Sequence, residues 1–158
     1  MAQTLNGRYR PNDAASYAVD VGQWRHSIGN YNFAVDAGAQ GAFTIYTVTG
    51  DVQMQVFGLC QTLMNSGGAA TIELGIAGNT AALVAQTTAT DLDQYETWQD
   101  VGPEANPGNV DAAMADFFVI ANGADVILTV ATADLTAGEI DFHAFWRPLS
   151  TDGSVAAA

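Results

Sequence analysis

The chain has 158 residues, 49% of them hydrophobic and only 13% charged, a length that suits one domain burying roughly two thirds of its unfolded surface. It has no lysine, and four arginines against 17 acids give a formal net charge of −13. Such an excess repels polyphosphate and anionic lipid, so nucleic acid and membranes are excluded as expected partners. A polar surface built from Thr, Gln, Asn, Ser and Gly favours strands and turns over solvent-exposed helices.

Residues 1–16 are polar, carry Gly7, Pro11 and Asn12 and show no period, so they are read as an extended N-terminal arm bearing Arg8, Tyr9 and Arg10. The opening M-A-Q-T-L-N-G-R-Y-R lacks the apolar segment of a signal peptide, so cytoplasmic synthesis is expected. Residues 1–30 sum to +1 and residues 31–158 to −14. Either an exposed terminus that tolerates Arg or a docking arm fits that asymmetry.

The run Tyr17–Trp24 is predicted as a first strand, opening a domain over 17–150, and a short strand is expected at Tyr31–Val35. A-F-T-I-Y-T-V-T from Ala42, a Gly50-Asp51 turn and V-Q-M-Q-V-F-G-L then read as a hairpin. In its second arm Val52, Met54 and Val56 alternate with Gln53 and Gln55, leaving one wet face. Cys60, the single cysteine, allows no intrachain disulfide and sits in an apolar run as a buried, inert thiol. After the turn Asn65–Gly68, A-T-I-E-L-G-I-A and T-A-A-L-V-A-Q-T-T pair around Gly78-Asn79.

Residues 90–115 are the longest irregular stretch, with Pro103, Pro107, a short strand at Tyr95–Trp98 and a short helix at Val110–Met114. Its acids Asp91, Asp93, Glu96 and Asp100 lack the third ligand and the glycine of a calcium loop, and are read as a solvated acidic loop. D-F-F-V-I-A and V-I-L-T-V-A-T flank Asn122-Gly123, the strongest short hairpin signal. Asn122, Gly123 and Asp125 interrupt the apolar run Phe117 to Ala133, so no membrane span is expected. A Thr136-Ala-Gly138 turn leads to the last strand, where Ile140, Phe142, Ala144 and Trp146 share one face and Asp141, His143, Phe145 and Arg147 the other. Residues 151–158 are read as a flexible tail. The whole predicts an all-β fold: a single β-sandwich or jelly-roll-like domain of about eight strands.

No catalytic residue, metal ligand or cofactor is assigned, and the chain is expected not to be an enzyme. His26 and His143 have no spacing that suggests a metal pair or a Ser-His-Asp triad, and both are read as structural. With 17 acids available, a carboxylate pair for an acid hydrolase cannot be picked out. Trp24, Trp98 and Phe145 offer a sugar-stacking platform, which makes a carbohydrate-binding module the main alternative function. Trp146 follows the core period, whereas Phe145 on the wetter face beside Arg147 is the kind of pair that interfaces enrich.

Two stretches carry a resemblance: T-I-E-L-G-I-A-G-N-T-A-A-L-V within 71–98, and D-V-I-L-T-V-A-T-A-D-L-T-A-G-E-I-D-F-H-A-F-W-R-P-L-S-T-D-G within 123–153. There the chain resembles small tailed-phage virion proteins of the capsid decoration (cement) type. The resemblance implies a β-rich, often trimeric protein, assembled in the host cytoplasm into a virion. Its partner is the major capsid protein lattice, reached partly through an extended N-terminal arm. Such proteins act through surfaces, so no motif transfers a residue role; the absence of lysine has no counterpart in that role. The residues expected to meet partners are Arg8, Tyr9, Arg10, Arg25, Phe145 and Arg147, because guanidinium groups pair bidentately with carboxylates.

Overall fold

Alternating burial along the chain sorts its side chains between a core and two outer faces. The structure, a computed structural model, describes residues 23–99, 102–103 and 116–158. The predicted arm with Arg8, Tyr9 and Arg10, most of the Tyr17–Trp24 strand and the Val110–Met114 helix lie outside the described residues. Eleven strands are present among those described: β1 (Arg25–Asn32), β2 (Gly41–Thr49), β3 (Val52–Ser66), β4 (Thr71–Ile76), β5 (Asn79–Thr88), β6 (Thr97–Gln99), β7 (Gly102–Pro103), β8 (Phe118–Ile120), β9 (Val126–Ala131), β10 (Leu135–Pro148) and β11 (Ser154–Ala157). One helical turn, α1 (Phe33–Asp36), and a 3-10 turn at Ala89–Asp91 complete the set.

The strands form two antiparallel sheets, giving the all-β, sandwich-like architecture that composition and alternation predict. The first sheet runs β1-β10-β3-β6-β7, with β8 also paired to β3; the second runs β11-β2-β9-β4-β5. One core lies between them. Val52, Met54 and Val56 of β3 and Ile140, Phe142 and Ala144 of β10 face Ile45 and Val48 of β2, Ile72 and Leu74 of β4 and Leu128 and Val130 of β9. Each of these side chains larger than alanine contributes about 1.5–3 kcal/mol by leaving water.

Two turns expected to close hairpins instead carry the chain between sheets. β2 belongs to the second sheet and β3 to the first, so Gly50-Asp51 is a crossover; so is Asn122-Gly123, between β8 and β9. Both keep the left-handed backbone their residues favour, with φ of 60° at Gly50, 60° at Asn122 and 69° at Gly123. The turns also bond each other. The Gly123 N–H donates to the Gly50 carbonyl at 2.9 Å, and the Asp51 carboxylate accepts from the Asn122 N–H at 2.8 Å. The segment between β10 and β11, which also passes from one sheet to the other, joins them, since the Asp51 carbonyl accepts from the N–H groups of Leu149 and Ser150. Alternation shows that β2 and β3 each have a core face; it does not show that those faces look at each other.

Other boundaries move for local reasons. β10 already includes Thr136–Gly138, and the sequence's turn signal is a bulged stretch of strand whose register against β3 shifts before Ile140. Gly138 has φ of 131° and no room for a side chain, because Met64 packs where its Cβ would stand. The bend falls earlier, around Thr132, with φ of 71°. Strand β1 starts at Arg25 and ends before Phe33, where the Asn32 side chain accepts from the Ala34 N–H at 2.9 Å and caps α1. The supposed frayed tail is β11, paired to β2 from Ser154↔Thr49 to Ala157↔Tyr46 with Val155 buried. The Gly78 hairpin, β4 with β5, forms as the sequence indicates.

Candidate functional site

On the outer face of the first sheet, alternation places every second residue of β1, β10, β3 and β8 toward solvent. Register sets them in rows. His26 lies beside Phe145 and Ile28 beside His143, with Asn30 beside Asp141. Across the next seam Phe145 meets Gln55, His143 meets Phe57 and Arg147 meets Gln53, which in turn lies beside Val119. Trp24 and Phe117, each one residue ahead of a strand, close the row at the Arg147 end with ring centroids 5.0 Å apart.

The middle of this face is an array of four near-parallel rings. His26 stacks on Phe145 at 4.6 Å and 13°, and Phe57 lies against His143 at 5.2 Å and 13°. His26 and His143 are different: their planes are within 9°, with centroids 5.2 Å apart, yet Nε2 of His26 is 3.1 Å from Nδ1 of His143. That centroid separation is close to the largest such a contact allows. The rings therefore sit edge to edge with nitrogens pointing at one another, one N–H donating to the other's lone pair. Burial, and then the neighbouring His26, hold the His143 imidazole below its ordinary value, with Asp141 opposing.

Charge is graded along the face. At one end the Arg147 guanidinium lies 5.3 Å from the Trp24 ring centroid, while its Nε–H donates to Gln53 Oε1 at 2.8 Å. At the other end Asp141 accepts from the amides of Asn30 and Gln61, both at 2.8 Å, and Glu139 lies 3.4 Å from the same Asn30 amide. Trp24, Phe117 and Val119 around the cationic end, and Ile28 beside His143, are 44–64% exposed. Contiguous apolar exposure of that kind marks interaction surfaces rather than ordinary solvent-facing sheet.

The structure brings together three residues singled out from the sequence, Phe145, Arg147 and Trp24. Arg25 is not with them. It pairs with Trp146 in register and lies over that indole at 5.1 Å, on the opposite side of the sheet from Arg147. Trp98 is fully buried, its ring 6.2 Å from that of Phe142, so it offers no face to a sugar. Phe145 has one face against His26, and of the stacking set Trp24 alone is open. His26 and His143, read as structural from the sequence, lie on this face with them, and Phe57 and Phe117 were not singled out by sequence reasoning. The outward parity of His143 and Phe145 was readable, but not which strand would be laid beside them.

Elsewhere the candidate groups are structural. Glu96 is buried, with its carboxylate accepting from the Asp93 N–H at 2.8 Å and its carbonyl from the Cys60 N–H at 2.9 Å; Asp91 and Asp93 are exposed, and Asp100 lies outside the described residues. Burial pushes the Cys60 thiol up to about 11, and it donates to the Thr62 carbonyl at 3.2 Å. Among the described residues no three His, Cys, Asp or Glu groups could hold a metal ion, and no helix is long and apolar enough to cross a membrane.

No family model and no curated sequence matches the chain. Among solved structures it is similar to a chain of the cyanophage Pam1 capsid asymmetric unit, at 15% identity over 80% of this chain and 86% of that one, with a TM-score of 0.42.

Proposed function

We propose that this chain is a non-enzymatic structural protein of a phage virion, one that coats or cements the capsid shell as a homotrimer. The observation that carries the reading is the outer face of the first sheet, where exposed aromatic and apolar groups surround Arg147 on a chain of net charge −13. An acidic body keeps free copies apart and soluble. A local apolar patch with a guanidinium supplies the kind of anchor that protein interfaces use. The resemblance of residues 71–98 and 123–153 to decoration proteins supports a capsid lattice as the partner. Binding only the assembled shell would stabilise it by mass action.

The test is sedimentation of the purified chain with shells that lack it, together with the temperature at which those shells rupture. Saturable co-sedimentation and a raised rupture temperature are expected, and Trp24→Ala combined with Val119→Asp should weaken binding about tenfold or more, since hot-spot truncations cost on the order of 2 kcal/mol each. Absence of binding at micromolar concentrations overturns the reading.

A further inference from the structure

We propose that His26 and His143 together form a two-histidine site for a divalent transition metal ion of the zinc, nickel or copper class. The site belongs to the free chain, so it stands or falls independently of the virion reading. Nε2 of His26 and Nδ1 of His143 face each other at 3.1 Å, with the ring planes within 9°. Two metal–nitrogen bonds of about 2.0–2.1 Å meeting at a tetrahedral angle place their nitrogens about 3.3–3.4 Å apart. The two nitrogens are thus already spaced nearly as neighbouring ligands of one ion. Proton and metal compete for the same lone pairs. Exchanging one for the other needs the rings to part by about 0.2–0.3 Å and to tilt until both lone pairs converge.

The surroundings favour that exchange. Phe145 stacks on His26 and Phe57 lies against His143; contacts through the ring faces hold the planes and leave the in-plane nitrogens to a ligand. His26 is exposed and His143 half-buried, so an ion reaches them from solvent. With its imidazole held below the ordinary value by burial and by His26, His143 is neutral near pH 7, the form that ligates. These are the only two histidines in the chain, so no other imidazole competes.

Charge points the same way. Asp141 acts on His143 as a nearby negative charge, and the net charge of −13 draws cations to the chain. Its carboxylate is held by the amides of Asn30 and Gln61, so it contributes through its charge and not as a third ligand. Of the described arginines, Arg25 lies on the opposite side of the sheet from this face. Arg147 stands four residues along β10, about 13 Å away and beyond a screening length of ~8 Å. Imidazole donors select zinc, nickel and copper over magnesium and calcium, which prefer oxygen. With two protein donors, water fills the remaining positions on the ion.

The test is titration of the full chain with zinc chloride at about pH 7.5, read by calorimetry and by NMR of the two imidazoles. Magnesium chloride is the control for cations held by carboxylates. The expected result is a micromolar zinc site that moves the ring resonances of both histidines, which magnesium leaves in place. His26→Gln and His143→Gln, made separately, should each weaken zinc binding about tenfold or more, since each removes one of two ligands. Wild-type affinity should fall as pH is lowered through about 6.5, because protons take the same nitrogens. Zinc that leaves the rings unmoved at millimolar concentration overturns the proposal. So does an affinity unchanged in either variant, which would assign the ion to carboxylates or to a single histidine. Should His143→Gln fail to fold, the exposed His26→Gln decides the outcome alone.

Discussion

Tyr46 reaches from β2 through the core to the opposite sheet, where its hydroxyl accepts from the Gly29 N–H at 3.0 Å and donates to the Phe142 carbonyl. Burial pushes its phenol well above the ordinary range, as expected for a group held neutral between backbone partners. Tyr46→Phe should cost about 1–3 kcal/mol in denaturant unfolding, because a buried N–H loses its acceptor. Gly29 permits the approach: a Cβ there would stand 2.6 Å from the Ile45 side chain, so Gly29→Ala should cost a further 1–3 kcal/mol or so by overpacking. The His26–His143 pair gives a pH dependence. His143 in the folded chain is held below its ordinary 6.5, so the unfolded chain takes up its proton first as pH falls. Its neutral form stabilises the fold above about pH 6.5, and that contribution is progressively lost as pH falls below 6.5. The melting temperature should therefore decline across that window, and His143→Gln should flatten the decline. An unchanged slope in the variant would remove the pair from the explanation. Neither the pairing of two histidines 117 positions apart nor the closeness of Gly29 to Ile45 is written in local sequence, because both depend on which strand lies beside which.

Strand β10 carries both the core and the candidate face. From Glu139 onward its even-numbered residues Ile140, Phe142, Ala144 and Trp146 are buried and its odd-numbered ones half-buried, an alternation plain in the sequence. Phe142→Ala should cost about 3–5 kcal/mol, whereas Phe145→Ala, outside the core, should leave stability nearly intact while weakening partner binding. That contrast in chemical denaturation separates the two faces. Strand β11 went unread because S-V-A-A has a single large apolar residue. Yet Val155 is buried, its carbonyl accepts from Ser27 Oγ at 3.1 Å, and that oxygen in turn accepts from the Trp146 indole at 2.9 Å. These bonds tie the edge of one sheet to the edge of the other. Deleting residues 154–158 should therefore lower stability by about 2 kcal/mol, the order of one buried valine and its edge contacts.

At the scale of the molecule, the decoration reading and the charge of −13 make one further expectation. Light scattering should give three times the protomer mass, more completely as salt screens the repulsion between acidic bodies; a monomer at every salt concentration would remove the homotrimer from the proposed function. The all-β class was determined by the sequence alone, through period-two alternation, β-branched content and Gly/Asn punctuation, each a property of neighbours along the chain. So were the inward set of β3 and β10, the β4–β5 hairpin and the inert setting of Cys60. Strand partnership was decided only in three dimensions. Gly50-Asp51 and Asn122-Gly123 encode a tight reversal equally well for a hairpin or a crossover, and the choice falls to whichever arrangement lets both flanking strands bury their apolar sides in one core. The face that gathers Trp24, His26, Phe57, Phe117, His143, Phe145 and Arg147 is a consequence of that choice, since its residues come from four separate parts of the chain and meet only once β1, β3 and β8 are laid around β10.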